Sequence, residues 1–287
     1  MKNKYPLYVL SKGRWERRLT INSLDMMSAD YKVIVEKQEY DNYAQHVDES
    51  KLLILPQSYK DNYDTLLADK SKSTGSGAAR NFAWDHSIEQ GHEKHWIIDD
   101  NIDEFYRINN NKHRVVRDTV FFRVMEDFTD RYTNVAMSGP NYTFFVPMKL
   151  KKRPFTPNTR IYSCILIRND IPFRWRGRYN EDTILSLDVL KANWCTILFN
   201  AFTQGKMTTQ SVKGGNTDEF YAEEGTAPKS IMLQHCHPEY VELKWRYSRQ
   251  HHFVDYQKHF KQPFIKRADY KPTGKVNNYG MSLKKLK

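Results

Sequence analysis

Two adjacent carboxylates and an amide, Asp99, Asp100 and Asn101, directly follow a short apolar run at residues 95–98. Neighbouring carboxylates repel each other, and their pKa values rise unless a cation is shared between them. Oxygen ligands of this kind suit Mg²⁺ or Mn²⁺, and such a metal can neutralise a diphosphate and stabilise it as a leaving group. The cluster therefore predicts a metal and phosphate site, with a simple polar turn at a strand end as the alternative.

A second feature lies just upstream, where Arg80 and Asn81 open a helical pattern at residues 78–90. A helix N-terminus attracts phosphate through its free N–H groups and its dipole, and an arginine there adds a bidentate donor. The small residues before Arg80 would let the backbone approach a ligand closely. The alternative for Arg80 is a surface ion pair, for instance with Asp85.

A third candidate is the pair Glu181 and Asp182, which begins a predicted helix at residues 182–192. A carboxylate at a helix N-terminus is stabilised as the anion, so the pair could simply be an N-cap with an acidic first turn. Together with the Asp99 cluster it has a chemical alternative, in which one carboxylate takes the proton from an acceptor hydroxyl. Asp182 is the predicted base.

The elements that must position these residues alternate between short apolar runs and helical patterns. This rhythm is typical of a parallel sheet with helices on its faces, and ligands bind such sheets at the carboxyl ends of the strands. The sequence thus predicts a single α/β nucleotide-binding core with additions. Strands are predicted at 5–10, 31–36, 51–56, 95–98, 134–137, 143–146, 161–167 and 195–200, and helices at 15–27, 40–47, 78–90, 119–132, 182–192 and 226–235, before a weakly structured tail from residue 269.

Charge is unevenly distributed along the chain. Of the formal net charge of +11, residues 241–287 contribute most, with 12 Lys and Arg against three acidic residues. Positive charge interleaved with aromatic rings is typical of surfaces that bind nucleic acids, although a solubilising tail has the same composition. Two further basic runs, "MKLKKRPF" and "FRWRGR", support the nucleic-acid interpretation. The residues predicted to contact an acceptor DNA are Lys151, Lys152, Arg153, Arg176, Arg178 and Tyr179.

Other function classes find little support. Three distant cysteines argue against a disulfide framework or a zinc ribbon. No apolar run approaches the roughly 20 residues of a membrane span, and the first one is shorter than the core of a signal peptide. A cytoplasmic protein without a membrane partner is therefore expected. His235 and His237 flank Cys236, but no second ligand pair for zinc lies nearby.

The order of the motifs resembles a known enzyme class. "GAARNFAWDHSIEQGHEKHWIIDDNI" is similar to the GT-A glycosyltransferases, in which a G-x-x-R-N-x-A helix leads into a strand that ends in a D-x-D-like motif. "GRYNEDTILSLDVLKANW" is similar to their acceptor-side Glu-Asp element. "YVLSKGRW", "WIIDDNI", "GGNT" and "RQHHFVDY" resemble one branch in particular, the TET-associated glycosyltransferases, which are encoded largely by bacteriophages.

The resemblance implies a GT-A-like, Rossmann-type nucleotide-sugar-binding core with a mostly parallel central sheet and acceptor-side additions. By that likeness residues 1–256 form the transferase domain, with a nucleotide-sugar half at 1–105 and an acceptor half at 106–256, and residues 257–287 form a basic C-terminal extension. The implied activity is transfer of a sugar from a nucleotide-sugar donor, UDP-linked, to a hydroxymethylated pyrimidine in DNA, with the host cytoplasm as the location for a phage enzyme.

The resemblance also implies roles for single residues. Ser11 and Arg14 line the nucleotide pocket, Glu36 lies where the base or ribose is read, and Arg80 and Asn81 approach the diphosphate. Asp99 faces the ribose or base, and Asp182 with Glu181 is the catalytic element. The implied Mn²⁺ or Mg²⁺ ligands are Asp100, Asn101, His235 and His237. The third position of the motif is Asn101 instead of the aspartate common in this class, so metal dependence stays open.

Three other functions remain as alternatives. A GT-A enzyme could act on a polysaccharide or protein, which would not need the basic tail. A non-catalytic nucleic-acid-binding module is disfavoured because carboxylates in its cleft would repel phosphate. A nucleotidyltransferase also uses paired carboxylates and a metal, but it has no evident use for the Arg-Asn helix.

Overall fold

The computed structural model describes residues 2–69, 72–148, 152–206, 227–246 and 249–271, and every structural statement below refers to these parts of the chain. The described strands are β1 Leu7–Leu10, β2 Tyr31–Val35, β3 Leu52–Ile54, β4 Lys94–Asp99, β5 Ile102–Asn109, β6 Lys112–Val115, β7 Val135–Tyr142, β8 Phe155–Pro157, β9 Cys164–Arg168, β10 Cys195–Lys206, β11 Val241–Arg246 and β12 Arg249–Val254. The described α-helices are α1 Leu19–Met26, α2 Tyr40–Ala44, α3 Gln57–Asp61, α4 Gly77–Glu89, α5 Val120–Thr129, α6 Glu181–Lys191, α7 Ala227–Cys236 and α8 Tyr256–His259.

Ten of these strands form one sheet in the order β3-β2-β1-β4-β9-β7-β10-β5-β6, with β8 paired to β10. The first four strands are mutually parallel, as the sequence predicts. β9 runs antiparallel between β4 and β7, while β7 and β10 pair in parallel. β1, β2, β3, β4, β7 and β10 therefore point the same way, and the sheet is mixed but mostly of one direction.

Both faces of the sheet are covered, because successive strand residues point to opposite faces and both sets are apolar. Leu7 and Val9 pack into one core cluster with Ile21 of α1 and Phe122 of α5. Tyr8 and Leu10 pack into a second cluster on the other face, with Trp84 of α4 among its members. The result is a three-layer α/β/α arrangement that fits a Rossmann-like core.

Two sequence predictions differ from the structure, and β5, β6, β8, β11 and β12 were not predicted as strands. Residues 143–146 are not a strand but a 3-10 turn, Thr143–Phe145, whose rings lie at a cleft. The helix predicted from residue 15 begins only at Leu19, because the chain before it forms the loop that carries Arg14. The β5–β6 hairpin was not predicted, although Asn110 and Asn111, both with positive φ, are the residues favoured in such a turn. The "GGNT" motif and the last 16 residues of the tail lie outside the described residues.

Candidate active site

The site forms along one edge of the sheet, where the similarly directed strands end. β1 is followed there by Ser11, β2 by Glu36 and β4 by Asp100, while β7 ends at Tyr142 and β10 at Lys206. All five residues line one cleft of about 460 Å³, as does Ser163, which precedes the antiparallel β9. Topology alone therefore brings together side chains that are up to 195 residues apart in sequence.

The turn after β4 is held rigidly by a single hydroxyl. Thr20 Oγ1 on α1 donates to the backbone carbonyl of Asp99 at 2.6 Å and accepts from the backbone N–H of Ile102 at 2.9 Å. Because Thr20 is completely buried, the turn has little room to shift. The Asp99, Asp100 and Asn101 side chains are thereby held at the edge of the cleft.

Asp99 lies between two cations. Arg80 Nη2 contacts Asp99 Oδ1 at 2.8 Å, and Lys206 Nζ contacts Asp99 Oδ2 at 2.7 Å. Although burial works to raise the pKa of Asp99, Lys206 and Arg80 together hold it well below the ordinary value. Burial likewise works to lower the pKa of Lys206, but Asp99 keeps it above its ordinary value. Both groups of this pair are therefore charged at neutral pH.

Asp100 has a different set of partners. Ser11 Oγ donates to Asp100 Oδ2 at 3.0 Å, and Arg14 forms an ion pair with Oδ1. Burial raises the pKa of Asp100 above the ordinary value, against the opposing effect of Arg14. Next to it, Asn101 Oδ1 is buried and accepts no hydrogen bond from any described residue. This oxygen is a polar atom at the cleft without a partner among the described side chains and backbone groups.

These residues partly fit the implied divalent metal. Both carboxylates already have cationic partners, since Asp99 contacts Arg80 and Lys206 and Asp100 contacts Arg14. The Asn101 oxygen, which accepts no hydrogen bond from the described residues, and the Asp100 carboxylate are oxygen ligands of the hard type that such a metal prefers. His235 is exposed on α7, and His237 is buried 3.6 Å from Asp188, so neither lines the cleft. In the described part of the chain no three His, Cys, Asp or Glu residues form a metal-binding group. A metal here would complete its coordination with ligand and water oxygens.

The N-terminus of α4 faces the same cleft and is tied to α6. Arg80 Nε donates to Ser76 Oγ at 3.2 Å and lies 3.4 Å from Glu181 Oε1, while the Ser76 hydroxyl donates to that same oxygen at 2.7 Å. Burial raises the pKa of Glu181, and Arg80 opposes that shift. Gly77 is needed here because a Cβ would lie 1.8 Å from the Tyr63 hydroxyl.

Asp182 lies beside Glu181 but makes different contacts. Its Oδ1 accepts from the Thr183 backbone N–H at 2.7 Å and from the Thr183 hydroxyl at 3.2 Å. Within the described residues its other oxygen, Oδ2, accepts no hydrogen bond. Asn180, whose φ of 54° is in the left-handed region that asparagine tolerates, starts the helix and turns the carboxylate into the cleft lining. Asp182 is thus the less constrained of the two carboxylates.

Of the other residues predicted to bind the donor, Glu36 lines the cleft and Asn81 does not. Glu36 forms ion pairs with Lys12 at 3.0 Å and Lys60 at 3.1 Å. Asn81 uses its side-chain amide to hold the backbone of Trp175, donating to its carbonyl and accepting from its N–H at 3.0 Å each. Asn81 therefore fixes α4 against the segment before α6, and its side chain does not line the cleft.

The predicted DNA-contacting residues do not gather into one surface. Lys151 lies outside the described residues, and Lys152 and Arg153 are exposed. Arg176 pairs with Asp188 at 2.9 Å on α6. Arg178 and Tyr179 are 4% and 3% exposed and stack on each other, which places them in the core instead of on a nucleic-acid surface.

Sequence reasoning missed several cleft residues. Lys206 and Ser163 are among them: the Lys206 ammonium donates to Ser163 Oγ at 2.6 Å, next to Asp99. No local motif surrounds Lys206. Its strand, β10, pairs with β7 and β5, and Lys206 itself lies opposite Ile102, directly after the Asp99 turn. Further missed residues that the argument below uses are Tyr142, Phe144, Arg160, Tyr162, Lys229 and Arg249.

Comparison with protein families identifies a match. The family described as TET-Associated Glycosyltransferase matches residues 5–215, a stretch that begins before β1 and includes Asp99, Asp182 and Lys206. No curated protein matches the chain. No helix in the described ranges is long and apolar enough to cross a membrane. Because the match covers well over half of the 287 residues, the chain belongs to the TET-associated glycosyltransferase family and is a glycosyltransferase.

Proposed function

We propose that this protein transfers a sugar from a nucleotide-sugar donor, UDP-linked, to the hydroxyl of a hydroxymethylated pyrimidine in DNA. One observation carries the proposal. The charged cluster around Asp99 and the less constrained carboxylate Asp182 line a single cleft, although they come from opposite halves of the chain. A donor diphosphate and an acceptor hydroxyl can meet in such a cleft.

On the donor side, the proposed ligands are the residues at the ends of β1, β2 and β4. The Arg80 guanidinium has one nitrogen, Nη1, that is buried and unpartnered within the described residues. Arg80 also lies at the N-terminus of α4, where backbone N–H groups favour a phosphate. Ser11, Arg14 and Glu36 would then surround the nucleoside, with Asp99 facing its ribose or base.

The charge balance of the cluster around Asp99 supports a cation as an additional participant. Arg14, Arg80 and Lys206 oppose Asp99, Asp100 and Glu181, so this cluster is already neutral. A diphosphate that entered it would bring uncompensated negative charge. We propose that Asp100 and Asn101 would hold Mg²⁺ or Mn²⁺. Bound there, the cation would supply positive charge to the leaving diphosphate.

On the acceptor side, Asp182 is the proposed general base. Its carboxylate takes the proton of the acceptor hydroxyl as that oxygen forms a bond to the anomeric carbon of the sugar. The bond from that carbon to the diphosphate oxygen breaks, and the nucleoside diphosphate leaves with the electron pair. Arg80 and Lys206 lie where they can stabilise the charge that develops on it.

The decisive experiment is mass spectrometry of nucleosides. Hydroxymethylated DNA would be incubated with the protein, a divalent cation and a panel of nucleotide sugars, and then digested. A hexose or pentose increment on hydroxymethylcytosine or hydroxymethyluracil is the expected result. If no nucleoside gains mass with any donor, the proposal fails, and a polysaccharide or protein acceptor becomes the leading candidate.

A further inference from the structure

A row of stacked aromatic rings lies at one end of the cleft. The Tyr162 and Tyr142 ring centroids are 4.3 Å apart at an interplanar angle of 28°, and Tyr142 stacks on Phe144 at 5.0 Å and 21°. The buried end of the row is Tyr162, which is 4% exposed, and the open end is Phe144, which is 59% exposed. Phe145, 41% exposed, lies beside it.

This exposure calls for an explanation, because a large ring gains little by remaining in water. Phe144 is carried by the 3-10 turn directly after β7, so the sheet holds it at the mouth of the cleft. Its neighbours are already stacked nearly parallel, and one more flat ring would extend the row. A nucleobase stacked on such a platform raises affinity by roughly 5- to 150-fold, independently of sequence.

Three cations surround the same end of the cleft: Arg160, Lys229 and Arg249. The Arg160 guanidinium lies over the Tyr162 ring, 5.0 Å from its centroid. Burial and the nearby Arg249 lower the pKa of Lys229, which reports crowding of positive charge. The one carboxylate of the described residues that acts on both Arg160 and Lys229 is Asp182. Lysine and arginine side chains grouped at one end of a cleft are the groups with which proteins hold a phosphate.

The aromatic end is well separated from the donor end. β7 lies four strand positions from β2 in the sheet order, which corresponds to roughly 19 Å between their ends. A nucleoside near Glu36 and a base on Phe144 would therefore not compete for space. Lys229 and Arg249 also lie beyond the region that matches the family, so this end is built partly from segments of this chain outside it.

We propose that this end of the cleft binds one nucleotide of a single DNA strand, with its base stacked on Phe144 and its phosphate held by Arg160, Lys229 and Arg249. The inference rests on the proposed function and specifies its acceptor. The base reaches Asp182 only when it is outside the duplex stack, as in single-stranded DNA or a flipped-out nucleotide. An intact duplex that kept its base stacked could not use the platform.

The test measures binding of a short, labelled single-stranded oligonucleotide by fluorescence anisotropy without a donor. Phe144→Ala is expected to weaken binding at least fivefold, while its melting temperature stays that of the native protein because the ring is exposed. The matched control is Trp245→Ala, which removes a ring that is 77% exposed on β11 and outside the cleft. Binding by Phe144→Ala within fivefold of native, or an equal loss in the control, overturns the stacking assignment.

The phosphate assignment has its own readout. Arg249→Gln is expected to reduce the slope of log affinity against log salt by roughly 0.7 for each lost phosphate contact, whereas Arg114→Gln, an exposed arginine on β6, leaves the slope unchanged. Equal slopes in both variants overturn it.

The two proposals fail separately. If the protein transfers sugar to DNA but Phe144→Ala binds the oligonucleotide as the native protein does, only the nucleotide subsite is refuted. If oligonucleotide binding depends on Phe144 but no DNA gains a sugar, the proposed function is refuted and the subsite stands.

Discussion

Replacing the proposed base, Asp182→Asn, should separate catalysis from folding. Asparagine keeps an oxygen that can accept the 2.7 Å hydrogen bond from the Thr183 N–H, so the first turn of α6 retains its local contact. The loss of a negative charge near a helix N-terminus costs about 0.3–1 kcal/mol of unfolding free energy. The loss of a general base lowers the rate of transfer by roughly 10²- to 10⁴-fold, or about 3–5 kcal/mol of activation free energy. The chemical effect should clearly exceed the structural one.

The neighbouring carboxylate provides the matched comparison. Glu181→Gln removes the charge that faces Arg80 at 3.4 Å and disturbs the 2.7 Å contact with Ser76. Because Glu181 and Ser76 hold the Arg80 side chain in place, disturbing these contacts displaces the guanidinium from the proposed diphosphate position. We therefore expect weaker donor binding, a higher KM for the nucleotide sugar and a lower melting temperature. Asp182→Asn should instead lower kcat and leave donor affinity close to that of the native protein.

The assay is single-turnover sugar transfer at saturating donor, followed by nucleoside mass spectrometry. Isothermal titration calorimetry with UDP gives the donor affinity of each variant. The reasoning is refuted if Asp182→Asn transfers sugar within tenfold of the native rate. It is equally refuted if this variant loses UDP affinity as strongly as Glu181→Gln does.

Three further predictions concern the buried charges. Lys206→Met should lower the free energy of unfolding by about 1.5–3 kcal/mol at neutral pH. The pKa of Asp99 is lower in the folded protein than its value of about 3.9 in the unfolded chain. The stability difference between the native protein and the variant should therefore be constant above about pH 3.9 and shrink as the pH falls below it. Urea melts in which the difference does not change with pH would contradict the prediction. Asp100→Asn should abolish any gain in UDP affinity on adding Mn²⁺, measured by calorimetry against an EDTA control, and an undiminished gain would place the metal elsewhere. Glu126→Gln should cost about 1–3 kcal/mol in urea melts, because an amide cannot accept from all of the Lys4 N–H, the Tyr5 N–H and the Trp96 indole; a cost below about 0.5 kcal/mol would argue against this network.

Local patterns were sufficient for the first half of the fold. The parallel strands β1 to β4, the helix that carries Arg80 and the acidic end of β4 were all predicted from short apolar runs and turn residues. Periodicity works there because each strand is buried on both faces and each helix follows directly in the chain. The β5–β6 hairpin and the 3-10 turn at Thr143–Phe145 escaped it, since strand propensity largely reflects packing against neighbours that a single sequence does not reveal.

The candidate site, like the fold, was predicted only in part from local sequence patterns. Asp99, Asp100 and Asp182 could be selected from motifs, yet motif reasoning also selected His237, Arg178 and Asn81, whose side chains the structure places away from the cleft. In the sequence, these three residue types are as suitable for a site as the residues that do line the cleft. Only their burial and their hydrogen-bond and ion-pair partners in the structure separate the two groups. Asn81 holds the backbone of Trp175, for example, which no spacing rule indicates.

By itself, then, the sequence determined which carboxylates end the fourth strand and begin the sixth helix, because those positions follow from local hydrogen bonding and apolar periodicity. Tertiary structure alone decided which cations face them. Lys206 reaches Asp99 through long-range strand pairing, because β10 places Lys206 opposite Ile102, next to the turn after β4. Ion pairs and hydrogen bonds form only between groups within about 4 Å of each other, and the folded sheet sets which residues lie that close.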